Sequence, residues 1–348
     1  MRIPVVIPAY EPDNNLITLC GNLINNDITD IIIVDDGSGE EYSEIFSTVK
    51  TKYNCTILTH DINKGKGRAL KDAFEFLLSD NSLVGCVTAD SDGQHSVNDI
   101  KKCIDALIAN PQSLILGCRN FSGDNVPTKS AFGNTLTRNV CRLLCSVNVS
   151  DTQTGLRAIP KDFMNHLLST SGERFEFETN MLIETKDRVS IVEVPIETIY
   201  DSKDNHKTHF RVVVDSIRIY RIFGRIFAKY LVSSLSSSVI DLIIFQTICH
   251  FTRDSIAAYI TIATVIARII SATCNYMFNH LLVFKSNKAK SITFGKYASL
   301  AIIQMFASAL FVYLGVSILP NITESYIKIV VDVILFFISY KIQQKFIF

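Results

Sequence analysis

The stretch Asp90-Ser91-Asp92-Gly93-Gln94-His95, entered directly from the apolar run Leu83-Val84-Gly85-Cys86-Val87-Thr88-Ala89, decides the reading of this chain. A strand that stops at two carboxylates spaced i, i+2 holds both near the sheet's carboxyl edge, where open α/β sheets bind ligands. Hard oxygen donors there suit Mg²⁺ or Mn²⁺, ions that stay partly hydrated and pair with a substrate diphosphate. The same residues also read as an acidic turn with an aspartate helix cap, so the block gains its meaning from its neighbours.

Working outward, Ile3-Pro4-Val5-Val6-Ile7 reads as a strand ending in Pro8-Ala9-Tyr10-Glu11-Pro12, and Asp30-Ile31-Ile32-Ile33-Val34 as another ending in Asp35-Asp36-Gly37-Ser38. Each puts polar groups at a strand's end. The turn Asn63-Lys64-Gly65-Lys66-Gly67-Arg68 precedes the helical pattern Ala69-Leu70-Ala73-Phe74-Leu77, so its amides and cations, Lys66 among them, can face phosphate at a helix start. The Gly and Lys spacing of a Walker loop is absent.

In order, Val6-Ile7-Pro8-Ala9-Tyr10-Glu11, Val34-Asp35-Asp36-Gly37-Ser38, Asn63-Lys64-Gly65-Lys66-Gly67, the Asp90 to His95 block, Gly117-Cys118-Arg119 and Asp151-Thr152-Gln153-Thr154-Gly155-Leu156-Arg157 resemble the family 2 glycosyltransferases. The branch resembled is the polyprenyl-phosphate one, with the dolichol-phosphate mannose synthases and GtrB-like enzymes. It covers about residues 1–225, and the remainder resembles the GtrA-like four-helix membrane family. The resemblance implies an α/β GT-A (Rossmann-like) cytoplasmic catalytic domain over 1–208, an amphipathic interface segment over 209–228 and an all-α bundle of four transmembrane helices over 229–348.

It also implies roles. Asp92 and Gln94 ligate Mg²⁺ or Mn²⁺, with Asp90 beside them or turned toward the nucleotide ribose, and Ser91 on the donor side. Pro8, Ala9, Tyr10, Glu11 and Asp36 form the nucleoside pocket, and Asp151 and Gln153 lie near the donor sugar. Arg119 contacts the acceptor phosphate. A second arginine usual in the family is replaced by Lys129, with Arg138 following either as a phosphate contact or as a helix-surface charge. The Asn205-to-Phe210 segment, bearing Lys207 and His209, resembles the loop that closes over the diphosphate. Glu176 and Glu178 can reach sugar hydroxyls, or simply mark a half-buried strand or helix start.

At 348 residues the chain has room for two domains; it is 48% hydrophobic and its mean hydropathy is +0.25, high for a wholly soluble protein. Its zero net charge conceals an asymmetry: residues 226–348 hold 10 Lys+Arg against 4 Asp+Glu, and the first 225 hold 24 against 30. A mildly acidic domain joined to a basic membrane part argues against nucleic acid as a partner. The nine cysteines show no metal spacing and read as reduced thiols, with Cys141 and Cys145 packed on one helix face. No cleavable leader precedes Tyr10, because the apolar run is short and broken by Pro4 and Pro8.

Apolar stretches near 229–250, 256–278, 297–319 and 325–341 qualify as spans. Arg218, Arg221, Arg225 and Lys229 precede the first, Lys285 to Lys290 form the most basic loop, and Lys341 and Lys345 follow the last. The positive-inside rule then puts both termini and that loop in the cytoplasm of an integral, multi-pass protein of a bacterial or archaeal plasma membrane. Asn321-Ile322-Thr323 reads as an ordinary outer loop. The segment from His209 to Tyr230 mixes Phe210, Val213, Ile217, Tyr220 and Phe223 with four arginines, and suits either the membrane surface or the last packed helix of the first domain. Asp241, Arg268 and Asp332 lie inside spans. Asp241 and Arg268 are expected to pair, or to mark a polar route through the bundle; Asn275 and Asn279 suit interhelical hydrogen bonds.

The function expected is inverting transfer of a hexose from a nucleotide sugar, of the UDP-glucose or GDP-mannose kind, to undecaprenyl or dolichyl phosphate, giving a lipid-linked sugar for cell-envelope or glycan glycosylation. The partners are the donor, the lipid acceptor and the bilayer, and a homo-oligomer is left open. A processive synthase is excluded by the absence of Trp from its Gln-x-x-Arg-Trp motif. The alternative is a lipid-linked sugar carrier or flippase whose front domain only binds nucleotide.

Overall fold

Strands β1 (Val5–Ala9), β2 (Ile31–Asp35), β3 (Thr56–Thr59), β4 (Gly85–Thr88), β5 (Ser113–Arg119), β6 (Arg157–Pro160) and β7 (Ser190–Ile196) form one sheet in the order β3-β2-β1-β4-β6-β5-β7. The computed structural model describes residues 2–120, 128–145, 147–186, 188–197, 212–252, 259–284, 286, 288–319, 322 and 324–348. β1 pairs in parallel with β2 and β4, β2 with β3, and β5 with β7, while β6 runs antiparallel between β4 and β5. The sheet is therefore mixed. Because β5 is reversed twice through β6, it runs parallel to β4, and its carboxyl end lies on the same edge as those of β1, β2 and β4.

The apolar runs are buried because helices cover the sheet. Val5, Val6 and Ile7 of β1 and Ile32, Ile33 and Val34 of β2 are fully buried. The helices before the membrane region are α1 (Asn14–Ile24), α2 (Ser43–Tyr53), α3 (Lys66–Leu78), α4 (Val97–Ala109), α5 (Thr128–Leu144), α6 (Lys161–Leu167) and α7 (Glu176–Glu184). Leu16, Leu19 and Leu23 of α1 and Ile100, Cys103 and Leu107 of α4 join Val5, Ile7 and Val87 in one core. Side-chain caps set both helix starts: Asp13 accepts the Asn15 N–H and Ser96 the Asp99 N–H. Among the described residues no disulfide forms, and Cys141 and Cys145 are buried.

The chain divides into two units, one of Met1–Arg142 with Val147–Ile222 and one of Leu143–Ser146 with Phe223–Phe348. Helix α8 (Val212–Thr252) begins in the first and continues into the second, so the described residues of the expected interface segment are the opening turns of one long helix. The second unit adds α9 (Tyr259–Phe278), α10 (Lys290–Ile318) and α11 (Glu324–Ile342), with π-helical turns at Asn279–Val283 and Gln343–Ile347. Among the described residues, Val214–Phe251 and Lys290–Ile318 are long and apolar enough to cross a membrane. The expectation of four spans thus meets four helices, of which two satisfy that criterion.

Polar side chains of this unit find partners inside it. Ser233 donates to Asn275 (3.1 Å) and Asn279 (2.8 Å), and Asn279 Nδ2 donates to Gln343 Oε1 (2.9 Å). Gln343 Nε2 in turn donates to Tyr230 (3.2 Å) and Ser339 (3.0 Å). Asp241 pairs with Arg268 at 3.8 Å and accepts from Ser271 at 2.8 Å, and Asp332 accepts from Ser308 at 2.8 Å.

Candidate active site

Four strand ends and one helix start meet around a cleft of about 810 Å³ in the first unit. β1 contributes Pro8, Ala9 and, beyond it, Tyr10, while Asp36 follows β2. From the loop after β4 come Asp90, Ser91, Asp92 and Gln94, with Arg119 closing β5 and Lys66 opening α3. This is the carboxyl edge of the sheet, where the topology leaves room for a ligand.

Lys66 is the electrostatic centre of the floor. Its Nζ lies 2.6 Å from Asp90 Oδ1 and 3.0 Å from Glu178 Oε1 at the start of α7, and its side chain is 15% exposed. Burial works against its charge, but Asp90 and Glu178 outweigh burial and hold its pKa above the ordinary lysine range. Burial likewise opposes ionisation of Asp90, yet Lys66 and then His95, 3.6 Å from Oδ2, hold that carboxyl well below its ordinary range. Gly155 lets this happen: a Cβ there would stand 2.2 Å from Asp90 Oδ2. Beneath lies Arg157, 1% exposed, whose guanidinium donates to Thr154 O at 3.0 Å and Glu178 O at 2.7 Å, tying β6 to α7.

Asp92 is in the opposite condition. Its Oδ1 accepts the Gln94 N–H at 3.1 Å, and among the described residues it has no ion pair. Burial, followed by the neighbouring Asp90, raises its pKa. A divalent cation relieves both causes. Among the described residues no three His, Cys, Asp or Glu side chains converge as a closed metal cage; an open set of one or two carboxylates completed by water and substrate oxygens is what Mg²⁺ and Mn²⁺ use with diphosphates. Asp92 with Gln94 fits such an ion, whereas Asp90, expected in the metal set, has Oδ1 engaged by Lys66.

The turn before α3 gives two of its amides to a side chain. Asp36, 3% exposed, takes them: Oδ1 accepts Lys64 N–H and Oδ2 accepts Gly65 N–H, each at 2.8 Å. Asp36 lines the cleft but spends its carboxylate on shaping this turn. Gly65, at φ 104°, packs so closely on the backbone of Glu173 that a Cβ would lie 2.5 Å from its carbonyl oxygen. That approach brings Arg174 and Phe175 into the cleft wall. Glu11 is absent from the lining; its N–H donates to Ser38 Oγ at 2.9 Å.

At the other end, Arg119 lies on the wall and Asp151 behind it. Arg119 Nε is 2.7 Å from Asp151 Oδ2 and Nη2 is 3.2 Å from Oδ1, which also accepts the Gln153 N–H at 3.0 Å. Asp151, expected beside the donor sugar, is fully buried and outside the lining, because its oxygens are committed to Arg119 and to the turn. Gln153 and Thr152 do line the cleft. Arg138 lies on α5 outside the lining, and the Lys129 side chain, Lys207 and His209 fall outside the described residues. Sequence reasoning missed Arg174, Thr179, Asp215 and Ile219; Asp215 and Ile219 share a face of α8 at i, i+4, a spacing that could have flagged them.

The chain is also similar to known proteins. Residues 5–167 match the family description "Glycosyl transferase family 2", and residues 229–348 match "GtrA/DPMS, transmembrane domain". The chain is 33% identical over 221 residues to a UDP-N-acetylglucosamine--dolichyl-phosphate N-acetylglucosaminyltransferase of Methanococcus voltae, covering 57% of this chain and 86% of that protein. It is 25% identical over 257 residues to a dolichol-phosphate mannosyltransferase of Pyrococcus furiosus, covering 69% and 70%. Mannosyl-3-phosphoglycerate synthase from Rubrobacter xylanophilus superposes over 63% of this chain and 70% of its own with TM-score 0.48 and 14% identity. With a family 2 match over the strand ends that build the cleft and a GtrA/DPMS match over the helices that follow, this chain belongs to the family 2 glycosyltransferases and carries a GtrA/DPMS transmembrane domain.

Proposed function

We propose that the cleft transfers a sugar from a nucleoside diphosphate donor to a polyprenyl phosphate, with inversion at the anomeric carbon. The observation that carries this reading is the meeting of the Asp90-Asp92-Gln94 loop with Arg119 in one cleft. The two relatives named above differ in donor sugar but share dolichyl phosphate in their names, which supports the acceptor class more than any one donor.

The acceptor phosphate is already an anionic nucleophile, so no strong general base is needed. One of its oxygens forms the new bond to the anomeric carbon as the bond to the donor's diphosphate oxygen breaks, and the nucleoside diphosphate leaves without a proton transfer. Arg119, oriented by Asp151, holds the acceptor phosphate; a guanidinium fixed along one edge gives that contact direction. Lys66 keeps Asp90 ionised at the donor side, and Tyr10 and Pro8 flank the nucleoside. Asp92 and Gln94 would hold a divalent cation, which would neutralise the charge of the departing diphosphate. The membrane helices bring this chemistry to a lipid-borne acceptor, with four crossings and both termini in the cytoplasm.

The test is to incubate the purified chain with undecaprenyl or dolichyl phosphate and a panel of labelled UDP- and GDP-sugars, then extract the lipid. Label in the organic phase with one donor supports the reading and names the sugar. Label confined to water across the panel contradicts it.

A further inference from the structure

Between β3 and the Lys66 turn lies a buried histidine that the mechanism above does not use. His60 is 7% exposed, its Nδ1 is 2.7 Å from Asp36 Oδ1, and its Nε2 is 2.9 Å from Asp72 Oδ2 on α3. Asp36 accepts the Lys64 and Gly65 amides on its two oxygens, so its carboxylate is an acceptor toward the ring as well. Arg68 lies 3.5 Å from the other oxygen of Asp72, Oδ1. The ring therefore joins the residue after β2 to helix α3, with one nitrogen at hydrogen-bond distance from each carboxyl group.

We propose that His60 is a positioning residue of the donor site, bridging Asp36 to Asp72 through its two ring nitrogens. It acts through Asp36: the ring fixes the carboxylate, the carboxylate fixes the Lys64-Gly65 amides, and the next residue, Lys66, reaches Asp90 and Glu178. The charged groups around the ring are Asp36 after β2 and Asp72 with Arg68 on α3. Loss of the ring, or of Asp72, opens a contact of this bridge. The turn then loses its tie either to β2 or to α3, and the donor is held less well while the chemistry, once the donor is seated, is little changed.

This inference rests on the cleft being the nucleotide site, so the test separates the two claims. The full-length chain in lipid nanodiscs is used throughout. UDP and GDP binding is then measured by calorimetry for wild type, His60→Gln and Asp72→Ala. Each variant is expected to weaken nucleotide binding on the order of tenfold, the loss of one charge-assisted hydrogen bond. In the transfer assay the same variants raise donor KM with kcat little changed. Wild-type affinity in either folded variant overturns the proposal, and if His60→Gln does not fold, Asp72→Ala decides it. A wild-type chain that binds nucleotide but moves no sugar contradicts the transferase reading and leaves the His60 result standing.

Discussion

Arg119 and Asp151 meet edge to edge, with Nε 2.7 Å from Oδ2 and Nη2 3.2 Å from Oδ1, the carboxylate fully buried and the guanidinium 20% exposed at the cleft wall. The carboxylate therefore fixes the orientation of the arginine.

Asp151→Ala should leave a half-buried guanidinium without its anchor. Removing one member of such a pair costs about 3 kcal/mol, read as a lower melting temperature. The acceptor KM should rise while donor affinity stays near wild type. A rise confined to donor KM would place Asp151 at the sugar after all.

Gly155→Ala tests the floor. The new Cβ would stand 2.2 Å from Asp90 Oδ2 and 2.6 Å from its Cγ, so Asp90 must move away from Lys66. Overpacking of this kind costs about 1–3 kcal/mol, and transfer should fall at least tenfold, a loss of about 1.4 kcal/mol or more in the barrier. Wild-type transfer by a folded Gly155→Ala chain would show that the Asp90–Lys66 contact is dispensable.

The pH dependence of metal binding follows from Asp92. Burial and Asp90 raise its pKa, so it takes up a proton at a higher pH than an ordinary carboxyl does, and the protonated form cannot ligate. By linkage its raised pKa contributes stability that is full below the unfolded value and is lost as pH rises through the folded one. Asp90 behaves oppositely: its contribution is present above the ordinary carboxyl range and is lost in acid. The rise in melting temperature given by Mn²⁺ over EDTA should accordingly grow as pH climbs from the carboxyl range toward neutrality, and Asp92→Asn should abolish it. A shift independent of pH would remove Asp92 from the metal site.

In the second unit, Asn279 accepts from Ser233 and donates to Gln343, joining α8 to the turns after α9 and α11. Asn279→Leu should lower stability in detergent by about 1 kcal/mol, the usual scale for interhelical hydrogen bonds in membranes, with nucleotide binding unchanged. No loss of stability would mean that the network is incidental.

What the sequence made legible is what local chemistry governs. The apolar runs ending at Ala9, Asp35 and Thr88 became β1, β2 and β4, and the polar residues after them face one cleft. The four apolar stretches became α8 to α11, and Asn275 and Asn279 found their interhelical partner in Ser233. Long-range pairings stayed hidden. Nothing near Asp36 reveals that its carboxylate serves amides 28 and 29 residues later, and nothing near Asp151 reveals that it faces Arg119, 32 residues earlier. Likewise Arg174 enters the site only because Gly65 allows the backbone after α6 to press against the start of α3. The antiparallel β6 was equally invisible, since its apolar residues fit a strand of either direction.

The central claim is that this cleft, through Asp92, moves sugar onto a lipid phosphate. The most direct measurement compares purified wild type and Asp92→Asn, at equal melting temperature, for label extracted with polyprenyl phosphate from the donor that the panel identifies. The account predicts lipid-phase label with wild type and Mn²⁺, and a loss of at least about 100-fold, roughly 3 kcal/mol of barrier, with the variant. Equal label from both proteins, in metal or in chelator, would contradict it.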